Sequence, residues 1–437
     1  MTENMTTLCI NATAYCLLLL YYIYKIRSIN LGIIVLAIFA ISSIGSVWYY
    51  SFDVTPVYFP HVNTIPLVYL FVLVWICTKP LIDLNISRLK GIDDTGIRPL
   101  LLGIAGFMSI FSILPFVELV IKSSQISLAS SFFGQMYEIE ADKAYYLFSA
   151  PAKFSFALIR HTGTMSLLLF FYLLTFEKKN TFLILGTFTS FMTMALFSIL
   201  CGSRGGLIGW LCAFVFYLLL FRGSLSSGSY KVIKNISYVF LAGVVMVFIY
   251  ISFSRVGYGD SYQSRSFSTD RWIAQYLGMG FLYFSDTVWN MTKFADGDQN
   301  FGLLKSWLGL YNYETYSDYI SYMEKYLGVK LTEFYTFIGD IYCDLGRIGT
   351  VVYSLLFYSV SRLVCRIRSP YISVLKIFMI FMIFRFLCYG FAANLYRTIA
   401  IQKELVYPII IGVFLLIMSN LGMNKQIQKK GDSEIAL

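Results

Sequence analysis

The chain has 437 residues, of which 58% are hydrophobic and only 13% are charged. A water-soluble globular protein of this size could not bury so much apolar surface in its core, so the composition excludes that class. The formal net charge is +10, but the Lys and Arg residues are concentrated in alternate short loops. That pattern is typical of membrane orientation and argues against a nucleic-acid partner.

The apolar residues fall into runs of about 18 to 24, the length that a helix needs to cross roughly 30 Å of hydrocarbon. We therefore predict an all-α polytopic membrane protein with about 11 transmembrane helices, within a range of about 10 to 12. The predicted spans are centred near residues 15, 40, 70, 110, 165, 190, 212, 243, 350, 384 and 413. The Lys and Arg asymmetry places the carboxy terminus in the cytoplasm and, with this span count, the amino terminus outside.

The first apolar run is predicted to be a retained span, because no basic segment precedes it and no cleavage site of small residues follows it. The eight cysteines lie mostly within spans and are never separated by two residues. Neither a zinc site nor a thiol relay is therefore indicated, and we interpret them as small apolar packing residues.

A set of arginines within predicted spans, or at their outer ends, is the sharpest signal in the sequence. An Arg at mid-membrane costs about 2.5–3.5 kcal/mol on insertion scales, so it needs a compensating interaction. Each guanidinium group can donate two parallel hydrogen bonds to phosphate oxygens, so several of them in one leaflet suit a diphosphate on a lipid. The alternative is that each Arg reaches the headgroups or pairs with a structural carboxylate. The candidate diphosphate-binding residues are Arg160, Arg204, Arg255, Arg385 and Arg397.

Two further features accompany these arginines. His161 follows Arg160 within the fifth predicted span and is either a candidate general base or a hydrogen-bonded core residue. The segment from Cys201 to Gly206 joins two spans through a very short outer turn, where glycines let backbone N–H groups approach an anion. Any tight membrane hairpin could use the same glycines.

The long apolar runs stop between Ser254 and about Thr336, which predicts a large extracytoplasmic loop. Loops of this length are usually functional or disordered, and this one is too aromatic to be disordered. We expect a helical cap over the bundle. The predicted division is therefore residues 1–253 with spans one to eight, residues 254–336 as the periplasmic loop, and residues 337–437 with spans nine to eleven and a cytoplasmic tail.

Within the loop, a run of tyrosines at helical spacing predicts an amphipathic helix that ends near Gly328. Tyrosine rings can pack on sugar C–H faces and hydrogen-bond sugar oxygens, but they also anchor helices at the membrane interface. The tyrosines on the predicted face are Tyr313, Tyr316, Tyr319, Tyr322 and Tyr326, of which the first three are the candidate glycan-binding residues.

The segment after the loop carries a stripe of carboxylates that enters the ninth predicted span. On a continuous helix, Glu333, Asp340, Asp344 and Arg347 would fall within roughly 60° of arc. These acids, Glu333 first, are candidate general bases, with His161 as the next candidate. The alternative is a structural network in which Asp344 pairs with Arg347. No dense Asp or His cluster suggests a metal, and no cofactor is predicted.

These features together resemble the Wzy-type oligosaccharide repeat-unit polymerases. The likeness lies in the turn Gly202-Ser203-Arg204-Gly205, the Arg255 that follows the next span, the long outer loop, and Glu333 followed by Tyr342-x-Asp344-x-Gly346-x-x-Gly349. The resemblance implies a fold similar to GT-C-like membrane glycosyltransferases and a place in the bacterial inner membrane. It implies transfer of a growing glycan from undecaprenyl diphosphate to a lipid-linked repeat unit, without nucleotide sugars. The implied partners are those two lipids, membrane lipids and a chain-length regulator.

Two other functions fit the same sequence features. An O-antigen ligase would use the same donor with a lipid A core acceptor. A flippase or other transporter of lipid-linked oligosaccharides would carry out no chemistry, but transporters usually show related halves and midplane sites on broken helices. The crowding of polar groups on the outer side, under a large loop, favours chemistry there.

Overall fold

The computed structural model describes residues 3–52, 55–86, 89–125, 148–160, 163–201, 204–256, 269–311, 313, 316–331, 333–397, 399, 402, 406 and 409–421. Most of these residues are helical, and the one sheet among them is a parallel pair of two-residue strands, β1 (Gly91–Ile92) and β2 (Tyr371–Ile372). The predicted all-α class is therefore confirmed for the described part of the chain.

Every predicted span centre falls inside a helix. The helices are α1 (Glu3–Ile26), α2 (Leu31–Tyr50), α3 (Thr55–Tyr58), α4 (Thr64–Ile82), α5 (Arg98–Gln125), α6 (Ala150–Ile159), α7 (Gly163–Leu174), α8 (Thr181–Leu200), α9 (Arg204–Phe221), α10 (Ser227–Val256), α11 (Thr269–Asp286), α12 (Gly302–Trp307), α13 (Tyr316–Leu327), α14 (Thr336–Cys365), α15 (Val374–Tyr389) and α16 (Ile409–Leu421), with a 3-10 turn at Val288–Asn290.

Among the described residues, six helices are long and apolar enough to cross a membrane: α1, α2, α4, α5, α8 and α14. Helices α6 and α7 form a pair bent by 71° that adds a seventh span if both halves belong to one crossing. The apolar part of α9 and helix α16 are shorter. The protein is thus a helical membrane protein, and the count of about 11 spans stays a prediction.

The described chain divides into two compact units. The first contains Met1–Asn85, Ser268–Ile367 and Met379–Val406, and the second contains Ile86–Phe267, Arg368–Phe378 and Tyr407–Leu437. The described part of the predicted outer loop, from α11 onward, is thus part of the first unit and packs with α2 and α4. Along the sequence, α10 ends at Val256, close to Ser254, where the loop was predicted to start.

Small residues allow α2 and α11 to pack closely in the first unit. A Cβ placed on Gly278 would lie 2.4 Å from the carbonyl oxygen of Gly45, and one on Gly45 would lie 2.5 Å from Cβ of Leu277. The Ser42 hydroxyl also donates a hydrogen bond to the Leu277 carbonyl. Small residues and interhelical hydrogen bonds of this kind are typical of packing between membrane helices.

Helix α14 is broken at Gly346, whose φ of +66° and ψ of −171° are outside the helical range. Only glycine adopts that φ readily, and Phe294 lies 3.0 Å from the position that a Cβ would take. The loop and α4 satisfy carbonyls near the break: Ala295 N–H donates to Cys343 (2.9 Å) and the Tyr69 hydroxyl donates to Arg347 (2.7 Å). A broken helix at membrane depth needs such compensation.

In the second unit, α5 and α8 approach closely because Gly186 faces Ser109, and a Cβ on Gly186 would lie 2.2 Å from the Ser109 side chain. The hydroxyls of Ser166 and Ser190 are 2.8 Å apart in the same core. In the same unit, the Ser419 hydroxyl of α16 donates a hydrogen bond to the Thr95 carbonyl (2.9 Å).

The close contact between α2 and α11 yields a first prediction. Gly278→Ala should lower the melting temperature of the detergent-solubilised protein, because overpacking costs typically about 1–3 kcal/mol. The matched control is Gly103→Ala on α5, where an added methyl group meets nothing within 4 Å. If both variants melt at the temperature of the parent protein, the proposed close packing is contradicted.

Candidate functional site

The two aspartates of the predicted stripe lie one turn apart on α14, before the break, and are fully buried. The Asp344 carboxylate accepts hydrogen bonds from the backbone N–H groups of Gln299 (3.1 Å) and Asn300 (2.6 Å) and from the Asn300 side-chain amide (2.5 Å). Both of its oxygens are therefore engaged by the segment that precedes α12.

The Asp340 carboxylate joins a third segment to this arrangement. It accepts hydrogen bonds from the Gln299 side-chain amide (2.9 Å) and from the backbone N–H of Asn394, and Arg397 Nη1 lies 4.0 Å from it. The Asn394 side-chain amide donates to the Asn300 side-chain oxygen. The polypeptide after α15 is thus fixed against both α14 and the segment that contains Asn300.

Gln402 completes what we call the acid–amide cluster, which consists of Gln299, Asn300, Asp340, Asp344, Asn394 and Gln402. Its side-chain oxygen accepts from Leu303 N–H (2.8 Å), and its amide donates to the carbonyls of Gln299 (3.2 Å), Asn300 (3.2 Å) and Tyr396 (2.8 Å). Gln402 thus holds the backbone of Gln299 and Asn300, whose N–H groups and side-chain amides are the donors that the buried carboxylates require.

This geometry gives the two aspartates a structural role. Their oxygens already accept hydrogen bonds inside the protein, so neither is presented to an external hydroxyl. The predicted pairing of Asp344 with Arg347 is wrong. The Arg347 guanidinium instead donates to the Tyr342 hydroxyl (3.0 Å) and the Trp289 carbonyl (3.2 Å) and lies 4.1 Å from the centre of the Trp289 ring.

The predicted four-residue face is also wrong, because the stretch is not one continuous helix. Glu333 lies in a turn before α14, and Arg347 lies beyond the break at Gly346. Only Asp340 and Asp344 share a helical face. A helical wheel assumes unbroken geometry, so it cannot place residues on the far side of a glycine with positive φ.

Glu333 differs from the aspartates because its side chain is only partly buried. Burial raises the pKa of its carboxyl group; Lys330 lowers that pKa and Glu324 raises it. The Arg397 guanidinium donates to the carbonyls of Leu331 (3.2 Å) and Glu333 (3.5 Å). Since Arg397 also lies beside Asp340, it connects the Glu333 turn to the acid–amide cluster.

Glu333 interacts electrostatically with Tyr283, whose ring packs against other aromatic rings. The ring centre of Tyr283 is 5.4 Å from that of Tyr335 and 5.3 Å from that of Phe59. Burial raises the pKa of Tyr283 to about 12, and Glu333 is the largest of the negative charges that add to this shift. The Glu333 carboxylate is therefore within electrostatic range of the Tyr283 hydroxyl.

The sequence interpretation did not include Arg271 among the candidates. This residue is on α11, is buried, and hydrogen-bonds the side chain of Tyr49. Helix α11 has too many polar residues to read as a span, so the intramembrane criterion that selected the other arginines did not apply to it. The amphipathic pattern of residues 269–286 is the one sequence signal that could have indicated a packed helix containing Arg271.

The candidate glycan-binding tyrosines occupy different environments. The Tyr313 hydroxyl donates to Asp298 (3.3 Å), whereas Tyr319 is buried and packs its ring against Tyr313 (5.2 Å between ring centres). Tyr319 therefore does not face a ligand. Tyr316 begins α13, and its side chain lies outside the described residues. Helix α13 ends before Gly328, whose φ of +73° confirms the predicted helix stop.

The remaining candidates divide between the units. Arg385 is partly buried on α15 in the first unit. Arg160 caps α6 in the second unit, within electrostatic range of Cys201 at the start of the predicted glycine turn. Arg204 begins α9 and Arg255 lies in the last turn of α10, and the side chains of both lie outside the described part of the structure. His161 lies outside the described residues altogether.

Within the residues that the structure describes, no group of three or more His, Cys, Asp or Glu side chains could hold a metal ion. Comparison with models of known protein families, with curated proteins and with solved structures finds no match. The resemblance to the Wzy-type polymerases therefore stays a prediction that rests on its short motifs.

The cluster geometry predicts that Asp344→Asn destabilises the protein by about 1–3 kcal/mol, because the new amide would meet N–H donors with an N–H group of its own. Thermal unfolding in detergent measures this. Asp83→Asn is the matched control, since Asp83 is exposed and paired only with Lys79 at 3.4 Å. Equal melting temperatures for the two variants would show that Asp344 does not anchor the outer segment.

Proposed function

We propose that this protein is a membrane glycosyltransferase that polymerises undecaprenyl-diphosphate-linked oligosaccharide repeat units on the outer face of a bacterial inner membrane. The observation that carries the proposal is the environment of Glu333. Its carboxyl group has a raised pKa, lies in a partly exposed residue, and is within electrostatic range of the partly exposed Tyr283. An acid next to aromatic rings suits a sugar hydroxyl that must lose a proton.

In this mechanism, Glu333 accepts the proton of the acceptor hydroxyl while the hydroxyl oxygen attacks the anomeric carbon of the donor sugar. The bond between that carbon and the phosphate oxygen breaks, and undecaprenyl diphosphate leaves with the electron pair. A carboxylate of raised pKa is a stronger base than an ordinary one, which suits this step.

The arginines have two proposed roles. Arg204, Arg255 and Arg160, all in the second unit, are the candidates from the sequence to hold the donor diphosphate and to stabilise the charge that develops on it. Arg385, in the first unit, is a separate candidate for the same role. Arg397 is a positioning residue instead. Its contacts to the carbonyls of Leu331 and Glu333 hold the turn that presents the Glu333 carboxylate.

The test uses purified protein in vesicles with a lipid-linked repeat unit, and the expected product is a ladder whose members differ by one unit. Glu333→Gln should slow ladder formation by about 10² to 10⁴ at normal membrane abundance, because a positioned base contributes about that factor. Glu177→Gln, on an exposed residue, is the matched control.

Other outcomes would contradict the proposal. A fully active Glu333→Gln variant would exclude Glu333 as the base. Transfer of glycan only to a lipid A core acceptor would indicate an O-antigen ligase. Movement of the lipid across the bilayer without any new glycosidic bond would indicate a flippase.

The pKa of Glu333 gives a prediction about pH. A base acts as the carboxylate, so the rate falls as the pH drops through its pKa. Because burial raises that pKa above its ordinary value, the loss should occur at a higher pH than for an exposed Glu. Glu324→Gln removes a charge that raises the pKa and should move the loss to lower pH. Lys330→Gln should move it to higher pH, and shifts of the opposite sign would refute this assignment.

A further inference from the structure

The segment around α12 carries an unusual apolar surface for part of a predicted periplasmic loop. The side chains of Leu304, Trp307, Leu308 and Leu310 are each more than half exposed. Four large apolar side chains thus face outward within seven residues. Single exposed apolar residues are common on proteins, but a contiguous patch indicates an apolar partner.

The position of this segment is given by α14. After the break at Gly346, α14 presents an exposed apolar face that begins with Ile348 (82% exposed) and continues through Val352 and Leu356. That face belongs to a helix long and apolar enough to span the membrane, so we expect it to face lipid. The first side chain of the α12 segment, Phe301, packs against Tyr353 of α14, with 6.4 Å between their ring centres.

Tyr353 is seven residues beyond Gly346, a distance of about 10 Å along a helix axis at 1.5 Å per residue. Its ring leans back toward the start of the helix, as helical side chains do. The α12 segment therefore begins beside the lipid-facing part of α14. Both this segment and the adjacent part of α14 carry exposed apolar side chains.

The segment is also built to remain in an apolar environment. Lys305 forms an ion pair with Asp298 and donates to the Asp296 carbonyl (3.1 Å). The last turn closes on itself, with Leu310 N–H donating to the Lys305 carbonyl (2.8 Å) and Gly309 at a φ of +69°. Satisfied backbone groups and a neutralised charge lower the cost of contact with lipid.

We propose that residues 304–310 insert into the outer leaflet of the bilayer and bind lipid acyl chains. Trp307 supplies the aromatic anchor that interfacial segments use. Because Leu303 N–H is bound to Gln402 (2.8 Å), the inserted segment is attached directly to the acid–amide cluster. It fixes that cluster at the level of the lipid headgroups, whatever reaction the protein performs.

The experiment compares two single-cysteine additions in opened membrane vesicles treated with a water-soluble maleimide. Maleimides react with thiolates, which form in water. Lys325→Cys, on the exposed side of α13, should be labelled well above the parent protein with its eight native cysteines. Leu308→Cys should stay at the parent level, and both should be labelled equally after unfolding in SDS. Equal labelling of the two variants in the intact bilayer would overturn the proposal.

A second measurement separates lipid from a protein partner. Trp fluorescence of the parent and of Trp307→Phe is compared in vesicles with and without lipids brominated on the upper part of the acyl chain. Bromine should quench the component that Trp307→Phe removes by at least about twofold. If that component is not quenched although Leu308→Cys is shielded, a second copy of the chain covers the segment, and the proposal fails.

Discussion

The burial of two carboxylates, Asp340 and Asp344, is the constraint on which the first unit depends. Transfer of an ionised carboxylate from water into a protein interior is costly unless hydrogen-bond donors replace the lost water. The donors here come from Gln299, Asn300 and Asn394, which lie at least 41 residues away along the chain. Three distant segments must therefore meet before both aspartates can be buried, and the turn that carries Glu333 is positioned as a result.

The contrast between these aspartates and Glu333 shows how environment separates the roles of chemically similar groups. All three acids lie within twelve residues of one another. Two are enclosed by amides and serve the fold, while the third is only partly buried and retains contact with the surface. Arg397 connects the two environments through backbone carbonyls on one side and Asp340 on the other. A rigid support of this kind is what a reactive group requires.

Much of the architecture was predictable from local features. The eleven predicted centres fall inside helices because long apolar runs can satisfy their backbone groups only as helices in lipid, and Gly328 ends α13 because glycine alone tolerates its φ easily. The break at Gly346 was not predictable, because Gly349 lies three residues later and no local feature of the sequence shows at which glycine the helix breaks. The donors to Asp344 were not predictable either, because contacts over 44 and 45 residues depend on the packing of the whole unit.

The interruption at Gly346 has a mechanical consequence. Membranes differ in thickness by a few ångströms, and a spanning helix adjusts by changing its tilt. An unbroken rod would carry that rotation into the buried carboxylates, at the cost of their short hydrogen bonds. At Gly346 the helical ladder is interrupted, so the lower part of α14 can change its inclination about a few backbone bonds while Ala295 and Tyr69 keep the carbonyls near the joint satisfied. The hydrogen bonds of Asp340 and Asp344 therefore bear less of the strain that a change of tilt in residues 347–365 would otherwise place on them.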